Sequence, residues 1–429
     1  MLGQGVERFG LKLIIYTHFM RLIAAILLTL ASTQAEGIPR DEYRARRAEL
    51  RKTLDGVMVL AGATEPDDLR LPYLQETNFL YLSGWREPGA IMLLSKSEEI
   101  LFIPERDLRH ENFTGRKLGP REPDAPQKAG FDKVMPRSAV ESNFLRLAEQ
   151  GDRIYTLPNQ PAAEKLKTLA PLHEESSAVL PIAKLRMIKS PAEIELITKA
   201  SDATVAAHLA AWKKIRPGMY EYEVAAIMMD TYFERGCEGN AYSPIVGSGP
   251  NSTVLHYAAN HRRMDSGEVI VMDVGAECSD YATDVTRTVP ANGKFTARQR
   301  EIYEIVLGAQ KAAIAAIKPG VQIRGEKSLQ QIATDYINSH GKDLHGEPLG
   351  RYFTHGLGHP VGLDVHDPND PAATLRAGMV VTIEPGIYIP EENIGVRIED
   401  TLLVTDTGSK NLSGALPREV AEIEKLVGK

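Results

Sequence analysis

Several short stretches of the chain hold residues whose types and spacing could do chemistry. Glu268–Gly275 is an apolar strand interrupted by the carboxylate of Asp273, and Tyr281–Val289 carries Asp284 in a similar setting. A hairpin turning at Cys278-Ser279 sets the two carboxylates directly opposite each other on one face. Opposed residues have Cβ atoms about 5 Å apart, where like charges repel. Such a pair needs a cation between its members; a solvated sheet face is the plainer alternative. Three histidines, His355, His359 and His366, fall within twelve residues, spaced by glycines. Glycine permits close backbone approach to a ligand, and the spacing matches neither an amphipathic helix nor a zinc finger. Neutral imidazoles there could ligate a metal or carry a proton. Val380–Gly386 is a strand ending in Glu384 before a Pro-Gly stop. In Gly395–Thr401, Arg397 and Glu399 alternate with apolar neighbours and so share a face. That places a guanidinium where it can orient an anionic ligand.

Four carboxylates and a histidine cluster at strand or turn positions suit Mn²⁺, Co²⁺, Zn²⁺ or Fe²⁺. Four negative charges exceed what one divalent ion neutralises, which favours two ions. A two-metal site that holds a bridging hydroxide and clamps a tetrahedral transition state is built for hydrolysis.

The elements that must position these residues are legible from caps and periodicity. Ser190-Pro191-Ala192-Glu193 is a capping box with proline at the first helical position. Ile194, Ile197, Ser201, Val205, Leu209 and Trp212 follow at helical spacing, and the helix ends at Pro217-Gly218. A second helix is expected from about Tyr220 to Arg235. The arrangement recurs from Thr296-Ala297-Arg298-Gln299 to Pro319-Gly320, with a second helix from about Glu326 to Ser339. Strand-like segments follow each pair. This reads as a duplicated helix–helix–strand unit, whose halves would lay their sheets side by side with a cleft between. Upstream, the apolar runs Gly56–Gly62, Phe79–Trp85, Ala90–Leu94, Ile100–Pro104 and Arg153–Leu157 read as strands between helices, an α/β layer. The domains are taken as 36–183 and 184–429.

The chain has 429 residues, 43% of them apolar and 25% charged, a globular composition long enough for two or three domains. A net charge of −7 argues against a nucleic-acid partner. Two cysteines exclude a disulfide framework. Met20-Arg21, the apolar run Leu22–Ala31 and the small residues before Glu36 describe a signal peptide covering residues 1–35 with its leader. The run is shorter than the roughly 20 residues that span a bilayer. The expectation is an exported protein (periplasmic or secreted), cleaved near Ala35, with no membrane span in the mature chain.

Taken together, these segments resemble the pita-bread metallopeptidases, most closely the proline-specific branch of aminopeptidase P and prolidase. The resemblance runs from about residue 72 to 405 and is carried by Pro72–Gly84, Ser252–Tyr257, the two aspartate strands, His355–Asp367, Glu384-Pro385-Gly386 and Arg397–Asp400. It implies an α/β (α+β) fold, an N-terminal α/β domain followed by a pita-bread domain of two pseudo-twofold halves. Asp273, Asp284, His359, Glu384 and Glu399 would hold two divalent ions, Mn²⁺ ahead of Co²⁺ or Zn²⁺, with Asp284 and Glu399 bridging. Glu384 would also serve as general base. His256 and His366 would bind substrate and stabilise the oxyanion, while His355 and Arg397 would keep the ligands oriented. The substrates implied are proline-containing peptides, cut at the N-terminal Xaa-Pro bond; prolidase is the close alternative, and a metal-free creatinase-like relative a more distant one. A homodimer or homotetramer is implied as well.

His110, His173, His208, His340 and His345 fall outside every motif and read as surface or satisfied core residues, and His261 is placed outside the site. Cys237 and Cys278 could bridge in an oxidising compartment, but nothing in the sequence brings them together, and they read as isolated buried thiols. Trp85 reads either as core or as a residue reaching a partner's cleft.

Overall fold

The computed structural model describes residues 37–68 and 70–429. The apolar run Leu22–Ala31 and the cleavage site near Ala35 lie outside the described residues. Among the described residues no helix is long and apolar enough to cross a membrane. Arg40–Lys429 forms one compact unit.

Its first part is built on a 6-stranded sheet in the order Lys133–Pro136, Glu99–Ile103, Ile91–Ser95, Gly56–Ala61, Arg153–Thr156, Glu174–Ser177. Strands 91–95 and 99–103 are buried on both faces, which is why they read as unbroken apolar runs. Phe79–Trp85, expected as a strand, lies instead largely in the helix Thr77–Ser83. The Glu76 carboxylate accepts the Phe79 N–H at its start, and Gly84 in the left-handed conformation closes its end. A run apolar on every side suits a buried helix as well as a buried strand, and here the caps decide. Trp85 is buried, at 8% exposure.

The second part carries the duplicated unit. Helices Pro191–Lys214 and Glu221–Glu234 recur as Ala297–Ala315 and Leu329–His340, and both expected capping boxes form, Ser190 with Glu193 and Thr296 with Gln299. The first half holds the 3-stranded sheet of Ile245–Ser248, Val269–Val274 and Val285–Pro290. The second holds Val380–Ile383, Asp400–Val404 and Ser409–Asn411, with the pair Gly386–Ile389 and Ile394–Arg397 beside them. A seam joins the halves: Glu399 N–H donates to Thr286 O at 3.0 Å, and Thr401 Oγ1 donates to Asp284 O at 2.7 Å.

The aspartate hairpin turns one residue later than the sequence suggests. Ser279 and Asp280 occupy the turn with φ of 53° and 67°, the positive pair that a two-residue hairpin favours. Cys278 then pairs Tyr281, and Asp273 pairs Thr286 rather than Asp284. A one-residue move of the turn shifts register by two, so both carboxylates keep the same face but stand diagonally. The hairpin is also tied covalently: Cys237 and Cys278 form a disulfide, correcting the reading of isolated thiols. Both cysteines are buried, and the helix Glu221–Glu234 delivers one beside the other.

Thr77, and Arg186 bridging from Asn78, brace the histidine run against the N-terminal part. Thr77 Oγ1 donates to Asp364 Oδ2 at 2.9 Å, and Arg186 reaches Asn78 Oδ1 at 2.8 Å, Asp364 at 2.8 Å and Asp367 at 2.6 Å. Lys189 adds a 3.1 Å contact to Asp367. On the hairpin itself, burial and then the charges of Asp280 and Glu238 push the Glu277 carboxyl up to about 7. A carboxyl raised in the folded state destabilises it above the unfolded pKa near 4.5, because folding then holds a proton the open chain releases. Glu277→Gln is therefore expected to stabilise the protein at pH 8 by about 1–2 kcal/mol, allowing for solvent screening. The gain should shrink as the pH falls and vanish below about pH 4. Urea titrations at the two pH values test this, and equal gains at both would refute it.

Candidate metal centre

The seam between the halves gathers the carboxylates. Ligand atoms of Asp284, His359 and Glu399 all lie within 4.8 Å of one another. Glu384 Oε1 stands 3.5 Å from His359 Nε2, as does Asp284 Oδ2. Asp273 joins through Tyr242, whose hydroxyl lies 2.6 Å from Asp273 Oδ1 and 2.5 Å from Asp284 Oδ1. The five proposed ligands thus converge, with the tightest group drawn from three of them.

Each placement has a local cause. Gly358 lets the histidine run pass over strand 380–383, since any Cβ there would strike the Thr382 carbonyl oxygen. His359 N–H donates to Thr382 Oγ1 at 3.1 Å and Thr382 N–H donates back to His359 O at 2.9 Å. This clamp sets His359 beside Glu384, which follows the end of that strand. Glu399 is fixed by Thr286, whose hydroxyl donates to Oε2 at 2.7 Å.

Burial and mutual repulsion dominate the electrostatics. Burial, and then the charges of Asp273 and Glu384, raise the Asp284 carboxyl well above the usual range. Burial and Asp284 do the same to Glu399, and burial with Glu399 pushes Glu384 up to about 8. Asp273 behaves oppositely: burial would raise it, but the Arg397 guanidinium at 2.5 Å takes it below the ordinary value.

Three observations fit a cation. Glu399 Oε1 is buried without a hydrogen-bond partner among the described residues, and such atoms ordinarily have one. His359 Nδ1 lies 3.1 Å from Pro360 O. Donating that N–H leaves the Nε2 lone pair facing two carboxylates, the arrangement of a metal-ligating imidazole held by a backbone carbonyl. One Tyr242 hydroxyl proton cannot serve both aspartates, so the second contact calls for a proton or a metal ion. Oxygen donors with one imidazole suit a divalent ion of the manganese, cobalt or zinc kind.

The remaining site residues surround a cavity of about 630 Å³ that His256, His355, His359, His366, Asp273, Asp284, Glu384 and Arg397 line. His256 is exposed on the loop after Gly249–Thr253. His366 packs edge-on to His359 at 4.1 Å, and burial, then the charges of His359 and His256, lower its pKa. His355 Nε2 meets the Tyr388 hydroxyl at 2.8 Å and Nδ1 meets Gly356 O at 2.9 Å. Burial and Arg397 bring His355 down to about 4, so it is neutral. Arg397 does not wait for an anionic ligand, as its spacing suggested. It is spent on Asp273, Tyr388 and Thr286, steadying a carboxylate of the protein itself.

Sequence reasoning missed Tyr242, Thr286, Thr382 and Tyr388. Thr286 was findable, two residues beyond Asp284 on a strand of period two. Tyr242 arrives from a separate segment and carries no such signal. Of the histidines left aside, His208 is buried against Val285 O, His173 touches Ala148 O, and His110 pairs with exposed Glu65. His261 is exposed on the loop beyond His256.

Comparison with known proteins matches residues 195–406 to metallopeptidase family M24 and residues 43–155 to the aminopeptidase P N-terminal domain. The chain is 34% identical over 434 residues to Xaa-Pro aminopeptidase of Escherichia coli (strain K12), covering 91% of this chain and 98% of that one. It is 32% identical to Xaa-Pro aminopeptidase 3 of Homo sapiens, over 91% and 86% of the two chains. The solved structure of E. coli aminopeptidase P with the inhibitor Pro-Leu superposes with a TM-score of 0.81 at 31% identity, over 91% and 98%.

Proposed function

The chain belongs to metallopeptidase family M24, and on that premise we propose how its residues act. It is a metal-dependent hydrolase that cuts the N-terminal Xaa-Pro bond, releasing the first residue of peptides with proline second. Cleavage of Xaa-Pro dipeptides alone, the prolidase reading, is not favoured by relatives named Xaa-Pro aminopeptidase. The carrying observation is the convergence of Asp284, His359 and Glu399, with an orphaned Glu399 oxygen, beside a cavity lined by histidines.

Asp273, Asp284, His359, Glu384 and Glu399 would hold two divalent ions, with Mn²⁺ proposed ahead of Co²⁺ or Zn²⁺. When bound, such ions polarise the scissile carbonyl and lower the pKa of water. With its neighbours' charge balanced by the cations, Glu384 would be ionised and would take the proton of the attacking water at its carboxylate, a role that needs direct contact. His256 and His366 hold the substrate and offer N–H donors to the developing oxyanion, typically the largest electrostatic contribution in acyl transfer. Arg397 and Tyr242 keep Asp273 oriented, and Tyr388 does the same for His355. Proline makes the bond a tertiary amide of restricted geometry, so its hydrolysis calls for a dedicated site.

We also propose a mature chain beginning near Glu36 in an oxidising compartment; the signal-like N-terminus and the Cys237–Cys278 disulfide support this. The proposed domains are 36–183 and 184–429, supported by two separate apolar cores. A homodimer or homotetramer is proposed from the family resemblance. The deciding assay uses the chain from Glu36, stripped of metal and resupplied with Mn²⁺, on an Xaa-Pro dipeptide and an Xaa-Pro-Yaa tripeptide. The tripeptide is expected to be cut. Cleavage of the dipeptide alone would move the assignment to prolidase, and cleavage of neither with Mn²⁺, Co²⁺ or Zn²⁺ would end the catalytic reading.

A further inference from the structure

The cations lining the cleft differ in what they are bound to. Arg397 is fully engaged by Asp273, Tyr388 and Thr286. Arg324 is not: it is exposed, and among the described residues its guanidinium makes no hydrogen bond or ion pair. It lies in the irregular stretch between Ala297–Ala315 and Leu329–His340 and rests on Gly356, where any Cβ would collide with it. The glycine beside His355 therefore leaves room for an arginine. Arg324 borders the cavity that holds Asp284 and Glu384, and also an adjoining one of about 290 Å³ lined by Met187, Ile323, Leu375 and Met379. His359 and Pro360 border both, so the guanidinium stands where the two meet.

A guanidinium offers a planar fork of donors matched to a carboxylate. It repels the cationic amino terminus of a peptide and attracts the opposite end. We propose that Arg324 is an anion subsite of the cleft, binding a carboxylate of the substrate on the far side of the proline. The carboxylate comes either from the free C-terminus of a short peptide or from an acidic side chain. The adjoining apolar cavity then takes the neighbouring side chain. This rests on the Xaa-Pro reading and specifies what lies beyond the cleaved bond.

The test compares Ala-Pro-Ala as the free acid, Ala-Pro-Ala amide and Ala-Pro-Asp amide on the metal-loaded wild type, Arg324→Met and Arg324→Lys. The wild type is expected to prefer at least one anionic peptide over the neutral amide by about tenfold, mainly in KM. Arg324→Met should bring that ratio to about one, and Arg324→Lys should restore part of it. Preference for the free acid identifies the C-terminal carboxylate; preference for Ala-Pro-Asp amide identifies the side chain. No preference in the wild type, or an unchanged one in Arg324→Met, overturns the subsite while leaving the hydrolase reading intact. A wild type that cuts none of the three overturns both.

Discussion

Asp284→Asn is expected to lower turnover of an Xaa-Pro-Yaa peptide by more than about 10³-fold, the equivalent of roughly 4 kcal/mol of lost transition-state stabilisation. Asp284 sits at the middle of the centre, 3.5 Å from His359 Nε2, 2.5 Å from the Tyr242 hydroxyl, and grouped with Glu399. The same substitution should have the opposite effect on the metal-free protein. Burial and the charges of Asp273 and Glu384 raise the Asp284 carboxyl in the folded state. At neutral pH such a group destabilises the fold, so removing its charge should make metal-free Asp284→Asn more stable than metal-free wild type. Added Mn²⁺ should reverse the order. Selective binding to the folded state contributes about 2.7 kcal/mol at a hundredfold excess over Kd, and only the wild type should gain it. Thermal unfolding of both proteins with and without metal decides the matter. Equal stabilisation of the variant by metal would show that Asp284 is not a ligand.

The second large effect is expected in the support beneath the site. Arg287 and Asp400 are both fully buried and paired at 2.7 Å. Arg287 also donates to Glu399 O at 2.6 Å and to Leu416 O at 3.0 Å, while Asp400 accepts from Ser413 at 2.7 Å and Gln310 at 3.0 Å. Burial would raise the Asp400 carboxyl, but Arg287 holds it below the ordinary range. Asp400→Ala leaves a guanidinium uncompensated in the interior, which typically destabilises by about 3–5 kcal/mol. Because the same arginine holds the Glu399 backbone, metal affinity should fall along with stability. Chemical denaturation with parallel metal titration measures both, and a stability loss under about 1 kcal/mol would contradict this account.

Much of the architecture was legible because it depends on neighbours in the chain. The capping boxes at Ser190 and Thr296 bond within one turn of helix, so sequence alone announces them. The repeated helix pairs follow from periodicity, and four carboxylates (Asp273, Asp284, Glu384 and Glu399) with the cluster His355, His359 and His366 indicate metal-dependent hydrolysis before any coordinates, though the choice of His359 among the three came from family resemblance. The roles within that set came from family resemblance, not from spacing.

Where the residues admitted more than one outcome, the structure decided it, through a local cap or turn in two cases and through residues far apart in the chain in the others. The apolar segment after Glu76 fits helix or strand equally, and its caps settled the matter. The aspartates stand diagonally because Ser279 and Asp280 take up positive φ, a choice of one turn position over another that shifts the whole register. Cys237 meets Cys278 because a helix end packs against the hairpin. Tyr242 reaches two aspartates from a separate segment, and Arg397 is drawn to Asp273 across the seam. Periodicity and capping report a residue's own element. Which distant group a buried charge is paired with is set by the packing of elements against one another, and that packing turns separate acidic and histidine motifs into one centre.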